Sequence, residues 1–229
     1  MQKGTKKETL KEQVVNEITS GVISGKYPIG KRLPTERELA EQLGISRTAV
    51  RSGLAELVAT GVVHQQPRRG CVVADYHTDG RMPIVSAILT CEGEVSEHIL
   101  QGYLGARILI ETETARLAAL NRSNDDLYRM FTVIREGHEL PEGDLSALAR
   151  QEFRFHKEVA LASGNAFYPI LINSHESLAL TLLEKKYCAV LPRADILRLQ
   201  ECLYEAIQQR DADKAMQAMH NIFEHRPSP

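Results

Sequence analysis

Arginines and short hydroxyl side chains meet at the start of one predicted helix, and this combination suits contact with DNA. Arg47 and Arg51 are four residues apart and therefore share one face of a helix. A guanidinium group pairs through two hydrogen bonds with O6 and N7 of guanine, whereas the hydroxyls of Ser46 and Thr48 suit phosphate oxygens. The segment predicts a helix whose first turn reads base edges in the major groove.

A second cationic group lies in a turn between two short apolar runs. Arg68 and Arg69 are followed by Gly70, which allows the backbone to turn tightly. Such a turn reaches a phosphate backbone or enters a narrow minor groove. Each arginine taken alone is equally well explained as a solvated surface charge. The presence of cations at both a helix start and a hairpin turn favours DNA binding.

The second half of the chain contains a different set of reactive side chains. Glu152 and His156 are spaced i, i+4, so a helix would bring both to one face, where they could act as an acid and base pair. Arg107 and Arg154 are candidate anchors for an anionic ligand, because guanidinium binds carboxylate through two hydrogen bonds. Arg107 is also spaced i, i+4 from Glu111. An intrahelical ion pair is therefore the alternative, and both roles hold together if Glu111 orients the arginine.

The elements that must position these residues follow from apolar periodicity and turn chemistry. In the first 75 residues, Ser46 has the chemistry to cap a helix, while Gly44 and Gly61 end helices. A PRRG turn between apolar runs predicts a β-hairpin. The predicted elements are helices over residues 8–25, 34–43 and 46–60, followed by a hairpin over residues 62–73.

Beyond residue 75 the pattern changes to a linker and then to helices. Residues 76–83 lack apolar periodicity and are placed as the linker, and residues 84–229 form the second predicted domain. Ser123 with Asp126 resembles a capping box, Gly137 and Gly164 are expected to end helices, and Asp211 to begin one. The predicted helices are residues 84–91, 95–120, 123–136, 144–163, 166–187, 193–209 and 212–225. The fold class is therefore mainly α, with a C-terminal all-α antiparallel bundle.

Composition excludes several classes of protein. Of the 229 residues, 43% are hydrophobic and 25% are charged, which is typical of a folded globular protein and not of a disordered one. No apolar run approaches the roughly 20 residues of a membrane span, and the four cysteines form no CxxC pair, so we expect a cytoplasmic protein with reduced thiols. Residues 1–75 carry a formal charge of +4 and the remainder −6. This asymmetry favours nucleic-acid binding by the first domain.

Residues 27–73 resemble the winged helix-turn-helix of GntR-family regulators. The likeness rests on the Pro-x-Glu-Arg-Glu-Leu-Ala segment, the Ser-Arg-x-x-Val-Arg segment and the closing arginine-glycine hairpin, in family order and spacing. A departure is Ser52-Gly53, where the family usually has Glu-Ala; a helical glycine costs about 1 kcal/mol relative to alanine and predicts a less rigid recognition helix. The resemblance implies DNA contacts from Arg37, Ser46, Arg47, Thr48 and Arg51, with Arg69 and Gly70 in the wing.

The second domain resembles the helical effector-binding domain of the FadR subgroup. The matching pieces include Arg107 with Glu111, Glu152 with Phe155 and His156, and the Ser-Gly-Asn sequence that begins at Ser163. The resemblance implies an effector site that includes Arg107, Glu111, Glu152, His156 and Gln200, and a ligand that is a small organic acid, sugar acid or fatty-acyl compound.

Many members of that subgroup bind a divalent metal with an Asp and three His. The resemblance implies Zn, Ni or Mn as the metal here. Here Glu152 and His156 match the first pair, but the other two positions are Gln200 and Ile222, which supply no imidazole. A two-residue shift turns a side chain about 200° around a helix, so His220 should point away from the site. A carboxylate with one histidine makes a poor zinc site, so we expect an organic effector bound directly.

The sequence therefore predicts a homodimeric transcription regulator, in most relatives a repressor, that binds an inverted repeat in double-stranded operator DNA and responds to a small metabolite. Two alternatives stay open. A nonspecific architectural DNA-binding dimer would show no sequence preference. An enzyme would use Glu152 and His156, but the sequence contains no Gly-rich phosphate loop and no nucleophile-elbow pattern to complete such a site.

Overall fold

The structure is a computed structural model of the chain, and it describes residues 9–81 and 97–225. The chain divides into two compact units, Met1–Val95 and Ser96–Pro229. The helix predicted over residues 84–91, and the first two residues of the one predicted over 95–120, lie outside the described residues.

Three helices form the body of the first unit, as predicted. Two of them begin with a threonine capping box: Thr9 accepts from the Glu12 amide while the Glu12 carboxylate accepts from the Thr9 amide, and Thr35 and Glu38 repeat the arrangement. The buried apolar side chains include Val14, Ile18, Leu39, Val50 and Leu57. The bounds are Leu10–Ile23 for α1, Glu36–Leu43 for α2 and Arg47–Ala59 for α3.

The predicted hairpin is confirmed. Strands β1 (Val63–Gln66) and β2 (Gly70–Val73) pair antiparallel, with Val63 opposite Val73 and Gln66 opposite Gly70. An isolated bridge from Arg32 to Val72 lays the segment before α2 along β2. The described part of the first unit is therefore three helices with a two-stranded wing.

The predicted linker contains a short helix that sequence periodicity missed. Residues Tyr76–Asp79 form α4, in which the amides of Thr78 and Asp79 donate to the carbonyl oxygen of Asp75 at 3.0 and 2.8 Å. The Asp79 carboxylate lies 3.0 Å from Nε2 of His64 on β1. The turn is too short to show periodicity, and contacts with the hairpin hold it.

Helices alone make up the described part of the second unit, which confirms its predicted class. The Ser123 and Asp126 capping box and the Asp211 cap both form as predicted. The main core includes Ala115, Met130, Phe155 and Leu203. None of the described helices is both long and apolar enough to cross a membrane. The bounds are Glu97–Asn121 for α5, Asn124–His138 for α6, Leu145–Ala162 for α7, Phe167–Ser174 for α8, Glu176–Leu182 for α9, Arg193–Gln208 for α10 and Ala212–Glu224 for α11.

Two expectations about helix ends are wrong. The helix predicted over residues 166–187 breaks at His175, whose backbone has φ −117° and ψ 16°, and it widens into a π-helical turn at Leu183–Tyr187. Gly137 does not end α6 but lies inside its last turn. A Cβ atom on Gly137 would stand 2.6 Å from Cδ2 of Leu197, so close packing against α10 explains this glycine.

Candidate functional site

The first candidate site is the start of α3 and the turn that precedes it. Gly44 ends α2 in the left-handed conformation, with φ 65°, and Ser46 caps α3 by accepting a 3.2 Å hydrogen bond from the amide of Ala49. This cap satisfies an amide at the helix start and fixes the first turn. Arg47 and Thr48 occupy that turn and are exposed. The predicted base-reading and phosphate-binding side chains are therefore presented to solvent on a helix N-terminus.

Arg51 has a partner that helix periodicity did not predict. Its guanidinium donates to Glu36 on α2, with Nη2 3.0 Å from Oε2 and Nε 3.3 Å from both carboxylate oxygens. The carboxylate raises the pKa of Arg51 further above its ordinary value. The Arg51 side chain is 76% exposed, so the pair is a weak surface contact that orients the arginine. Arg37 is likewise exposed, with its Nε 3.8 Å from Oε1 of Glu41 on the same helix.

The wing turn carries arginines on a strained backbone. The amide of Arg69 donates to the carbonyl oxygen of Gln66 at 3.2 Å, which closes a turn over Pro67 and Arg68. Arg68 has φ 64°, a conformation that costs energy for a residue with a Cβ atom, and Gly70 has φ 78°. Both arginines are exposed.

Arg32 joins this cationic turn and was missed by the sequence analysis. Its guanidinium lies beside Gly70, where a Cβ atom would be 3.5 Å from Arg32 Nε. The bridge to Val72 places it there, although it precedes the wing by 38 residues in the chain. The available signal was the pair Lys31 and Arg32 in the segment that precedes α2, but nothing local links this pair to the hairpin.

The second candidate site is a cluster of polar residues in the core of the second unit. The five residues predicted as the effector site come together here, from α5 (Arg107 and Glu111), α7 (Glu152 and His156) and α10 (Gln200). None is more than 4% exposed. Buried charges are rare unless they are paired, so their arrangement must balance charge within the protein.

The cluster is a chain of charge-assisted contacts. Nε of Arg107 donates to Oε1 of Glu111 at 2.7 Å, so the predicted i, i+4 ion pair is present. The other Glu111 oxygen contacts Nδ1 of His156, and Nε2 of His156 lies 3.2 Å from Oε1 of Glu152. Glu152 in turn accepts from the amide nitrogen of Gln200.

These contacts favour the positively charged form of the imidazole. Burial lowers the pKa of His156, but the carboxylates of Glu111 and Glu152 on either side outweigh that effect, and the net shift is upward. A doubly protonated ring can donate to both carboxylates. The four ionisable groups then carry two positive and two negative charges, which makes the buried cluster neutral overall.

The cluster does not fit a metal ion. Both ring nitrogens of His156 face carboxylates. Gln200 presents its NH₂ group to Glu152, and this group donates hydrogen bonds but cannot ligate a metal. Ile222, fully buried, supplies no donor atom. Within residues 9–81 and 97–225 there is no group of three or more His, Cys, Asp or Glu side chains arranged to hold a metal. His220 pairs instead with Glu224 at 3.2 Å on the surface.

His175 lies close to the cluster and was not predicted. Its ring packs edge-on against Tyr103, with centroids 5.6 Å apart and planes at 82°, and against Phe153 at 6.4 Å. Nδ1 of His175 donates to the carbonyl oxygen of Leu171 at 3.1 Å. Burial, with a smaller contribution from the positive charge of Arg107, lowers the pKa of His175 to about 4. A lone histidine inside a segment that the sequence predicts to be one helix gave no signal for this position.

Sequence comparison places both units among known regulators. Residues 10–73 match the family described as bacterial regulatory proteins, gntR family, and residues 104–225, more than half of the chain, match the FCD domain. The HTH-type transcriptional regulator Mce2R of Mycobacterium tuberculosis is 34% identical over 113 residues, which are 49% of this chain and 47% of that protein. The match thus spans about half the length of that relative.

Two further likenesses extend over nearly the whole chain. The galactonate operon transcriptional repressor of Escherichia coli is 25% identical over 210 residues, which cover 90% of both proteins. A solved structure of Lar, described as controlling expression of the Listeria monocytogenes agr system, has a TM-score of 0.68 at 17% identity. It covers 96% of this chain and 95% of its own. This structural likeness supports the fold.

Proposed function

Because the chain belongs to the GntR family of bacterial regulatory proteins and carries an FCD domain, we propose that it is a sequence-specific transcription regulator whose DNA affinity is set by a small organic acid. The observation that carries the DNA-binding part is the capped start of α3, which presents Arg47 and Thr48 to solvent next to a tight turn. This is the geometry by which a recognition helix enters a major groove.

DNA binding divides between base reading and backbone contact. Arg47 is assigned to guanine, with Arg51 beside it on α3 held ready by Glu36. Ser46 and Thr48 supply phosphate contacts, as do the wing residues Arg69 and Gly70 and, at the start of α2, Arg37. Two copies of the chain present two recognition helices, so the operator is an inverted repeat.

The effector part rests on the arginine of the polar cluster. Glu111 occupies Nε of Arg107, while Nη2 of the same guanidinium is buried and has no hydrogen-bond partner among the described residues. A carboxylate is the natural acceptor for that group. We propose that an organic acid binds there directly, since the donor set around His156 does not suit a metal. A relative is named for galactonate, which is such an acid.

Effector and operator must be coupled through a difference in affinity. An acid that binds the free and DNA-bound conformations equally would not change the affinity for DNA, however tightly the acid binds. We propose repression relieved by the acid, in line with the name of the galactonate repressor. The acid then binds the DNA-free conformation more tightly.

Fluorescence anisotropy with the full chain tests this function. We expect a fragment from the region upstream of its own gene to bind at physiological salt much more tightly than random DNA of the same length, and organic acids to weaken only the specific complex. Equal binding to both fragments would instead indicate an architectural DNA binder. If no fragment is retained even at low ionic strength, the proposed function is wrong.

A further inference from the structure

Two buried polar atoms next to the cluster have no hydrogen-bond partner within residues 9–81 and 97–225. They are Nη2 of Arg107 and Nε2 of His175, on side chains that are 4% and 9% exposed. A buried donor or acceptor without a partner costs free energy, so such atoms in a folded core point to a ligand that satisfies them.

Both atoms belong to side chains that pack on Tyr103. Cζ of Arg107 lies 5.9 Å from the centre of the Tyr103 ring, and the His175 ring centre lies 5.6 Å from it. Arg107 and Tyr103 stand one turn apart on α5, whereas His175 comes from the break between α8 and α9. Chain segments about 70 residues apart therefore bring the two side chains that carry the unpartnered atoms to one aromatic ring.

The hydrogen bond from His175 to the backbone decides what its other nitrogen can do. A carbonyl oxygen only accepts, so Nδ1 carries the proton that it shares with Leu171. A pKa of about 4 keeps the ring neutral at pH 7. Nε2 then has a bare lone pair and is an acceptor, whereas Nη2 of Arg107 is a donor. The two atoms are chemically complementary and not alike.

We propose that the effector is a hydroxy acid whose carboxylate accepts from Nη2 of Arg107 and whose hydroxyl group donates to Nε2 of His175. This assignment rests on the proposed function and makes His175 the residue that selects among organic acids. A simple carboxylic acid satisfies only the arginine and leaves Nε2 unpaired. A second carboxylate would set acceptor against acceptor at His175. An ammonium group would meet the positive charge of Arg107.

Matched pairs of acids test the selectivity by isothermal titration calorimetry of the full chain. The probes are lactate against propionate, malate against succinate and gluconate against hexanoate, with alanine as the amino-acid counterpart of lactate. For the pairs that bind, we expect the hydroxy acid to bind about tenfold or more tightly than its partner. Equal affinities within each binding pair, or tighter binding of alanine than of lactate, would overturn the proposal.

Variants separate the two contacts. His175→Phe keeps a ring against Tyr103 and Phe153 but lacks the acceptor. The affinity for each hydroxy acid should therefore fall to that for its matched simple acid, while the affinity for simple acids should not change. Arg107→Met should abolish binding of both kinds of acid. His220→Phe, on the exposed face of α11, is the matched control and should bind as the wild type does.

A spectroscopic readout keeps the assignment testable even if His175→Phe does not fold. The ¹⁵N resonance of His175 Nε2 should have the shift of a bare nitrogen and should move upfield when a hydroxy acid, but not a simple acid, is added. If no acid binds or alters DNA affinity, the proposed function itself fails and this assignment fails with it. If simple acids bind as tightly as hydroxy acids and the resonance stays in place, only the role of His175 is wrong.

Discussion

Gly53 in α3 lies directly against Val14 in α1, so that a Cβ atom on Gly53 would stand 2.6 Å from both Cβ and Cγ1 of Val14. The sequence alone suggested that this glycine loosens the recognition helix. The structure gives it a packing role, because it allows α1 to approach α3 closely. Helix α3, which carries Arg47, therefore packs against α1 at Gly53, the residue with the lowest helix propensity in α3.

Gly53→Ala tests this close approach. Alanine gains up to about 1 kcal/mol in helix propensity, but the overlap with Val14 should cost more, for a net loss of about 1 to 3 kcal/mol in the free energy of unfolding. Urea denaturation followed by circular dichroism measures it. Gly105→Ala in α5, where a Cβ atom meets nothing within 4 Å, is the control and should not destabilise.

Arg47→Ala and Arg69→Ala should weaken DNA binding in different ways. Loss of the proposed guanine contact at Arg47 should cost about 1 to 3 kcal/mol on the operator and relax base preference, with little change on random DNA. Loss of a phosphate contact at Arg69 should weaken all sequences and flatten the salt dependence by about one unit of slope. Anisotropy titrations at several salt concentrations measure both effects. Arg198→Ala, an exposed arginine of the second unit, is the control.

Equal losses on operator and random DNA for Arg47→Ala would contradict direct base reading. An unchanged salt slope for Arg69→Ala would remove the wing from the backbone contacts.

Glu152→Gln should lower the free energy of unfolding of the second unit. The change leaves His156 with one carboxylate in place of two and removes one charge from a buried neutral cluster, which costs about 3 to 5 kcal/mol. Thermal and urea denaturation check this. Glu201→Gln breaks an exposed pair with His138, in which the two atoms are 2.9 Å apart, and should cost less than about 1 kcal/mol. Similar small effects for the two variants would mean that the cluster contributes nothing to stability.

Stability should rise between pH 4 and pH 6.5 because of His175. Its pKa is about 4 in the folded chain, where burial and the facing groups Arg107, Glu111 and His156 set it, and 6.5 when unfolded. The unfolded chain therefore binds more protons in this window, and acidification favours unfolding. From pH 7 to pH 5 the contribution of this residue falls by about 2 kcal/mol.

His175→Phe removes that contribution, so the wild type should lose about 2 kcal/mol more than the variant over the same pH range. Denaturant titrations at pH 5 and pH 7 measure the difference. Parallel pH profiles for the two proteins would show that His175 does not titrate as its burial implies. The pKa of His156 is shifted in the opposite direction. The stability that His156 contributes to the folded chain is therefore fully present below pH 6.5 and is lost only as the pH rises above 6.5 toward the raised pKa.

Several elements could be predicted from the sequence because their causes are local. Capping residues such as Ser46, Ser123 and Asp211 bond to amides three residues away, and Gly44 and Gly164 adopt left-handed backbone, so helix limits are encoded within one turn. The alternation around the PRRG turn likewise specifies the hairpin. The prediction of one continuous helix over residues 166–187 was wrong because apolar residues continue across the break. A single residue such as His175 does not change the apolar periodicity.

The amino-acid sequence by itself determined the two-part organisation, the helix starts and the types of side chain at each candidate site. Only the tertiary structure decided their partners: Glu36 for Arg51, the wing for Arg32, and the arrangement of Arg107, Tyr103 and His175. These residues are between 4 and about 70 positions apart in the chain, and most of the pairings depend on how helices pack. Packing sums weak, non-directional contacts over the whole core, so no local pattern reveals which side chains it brings together.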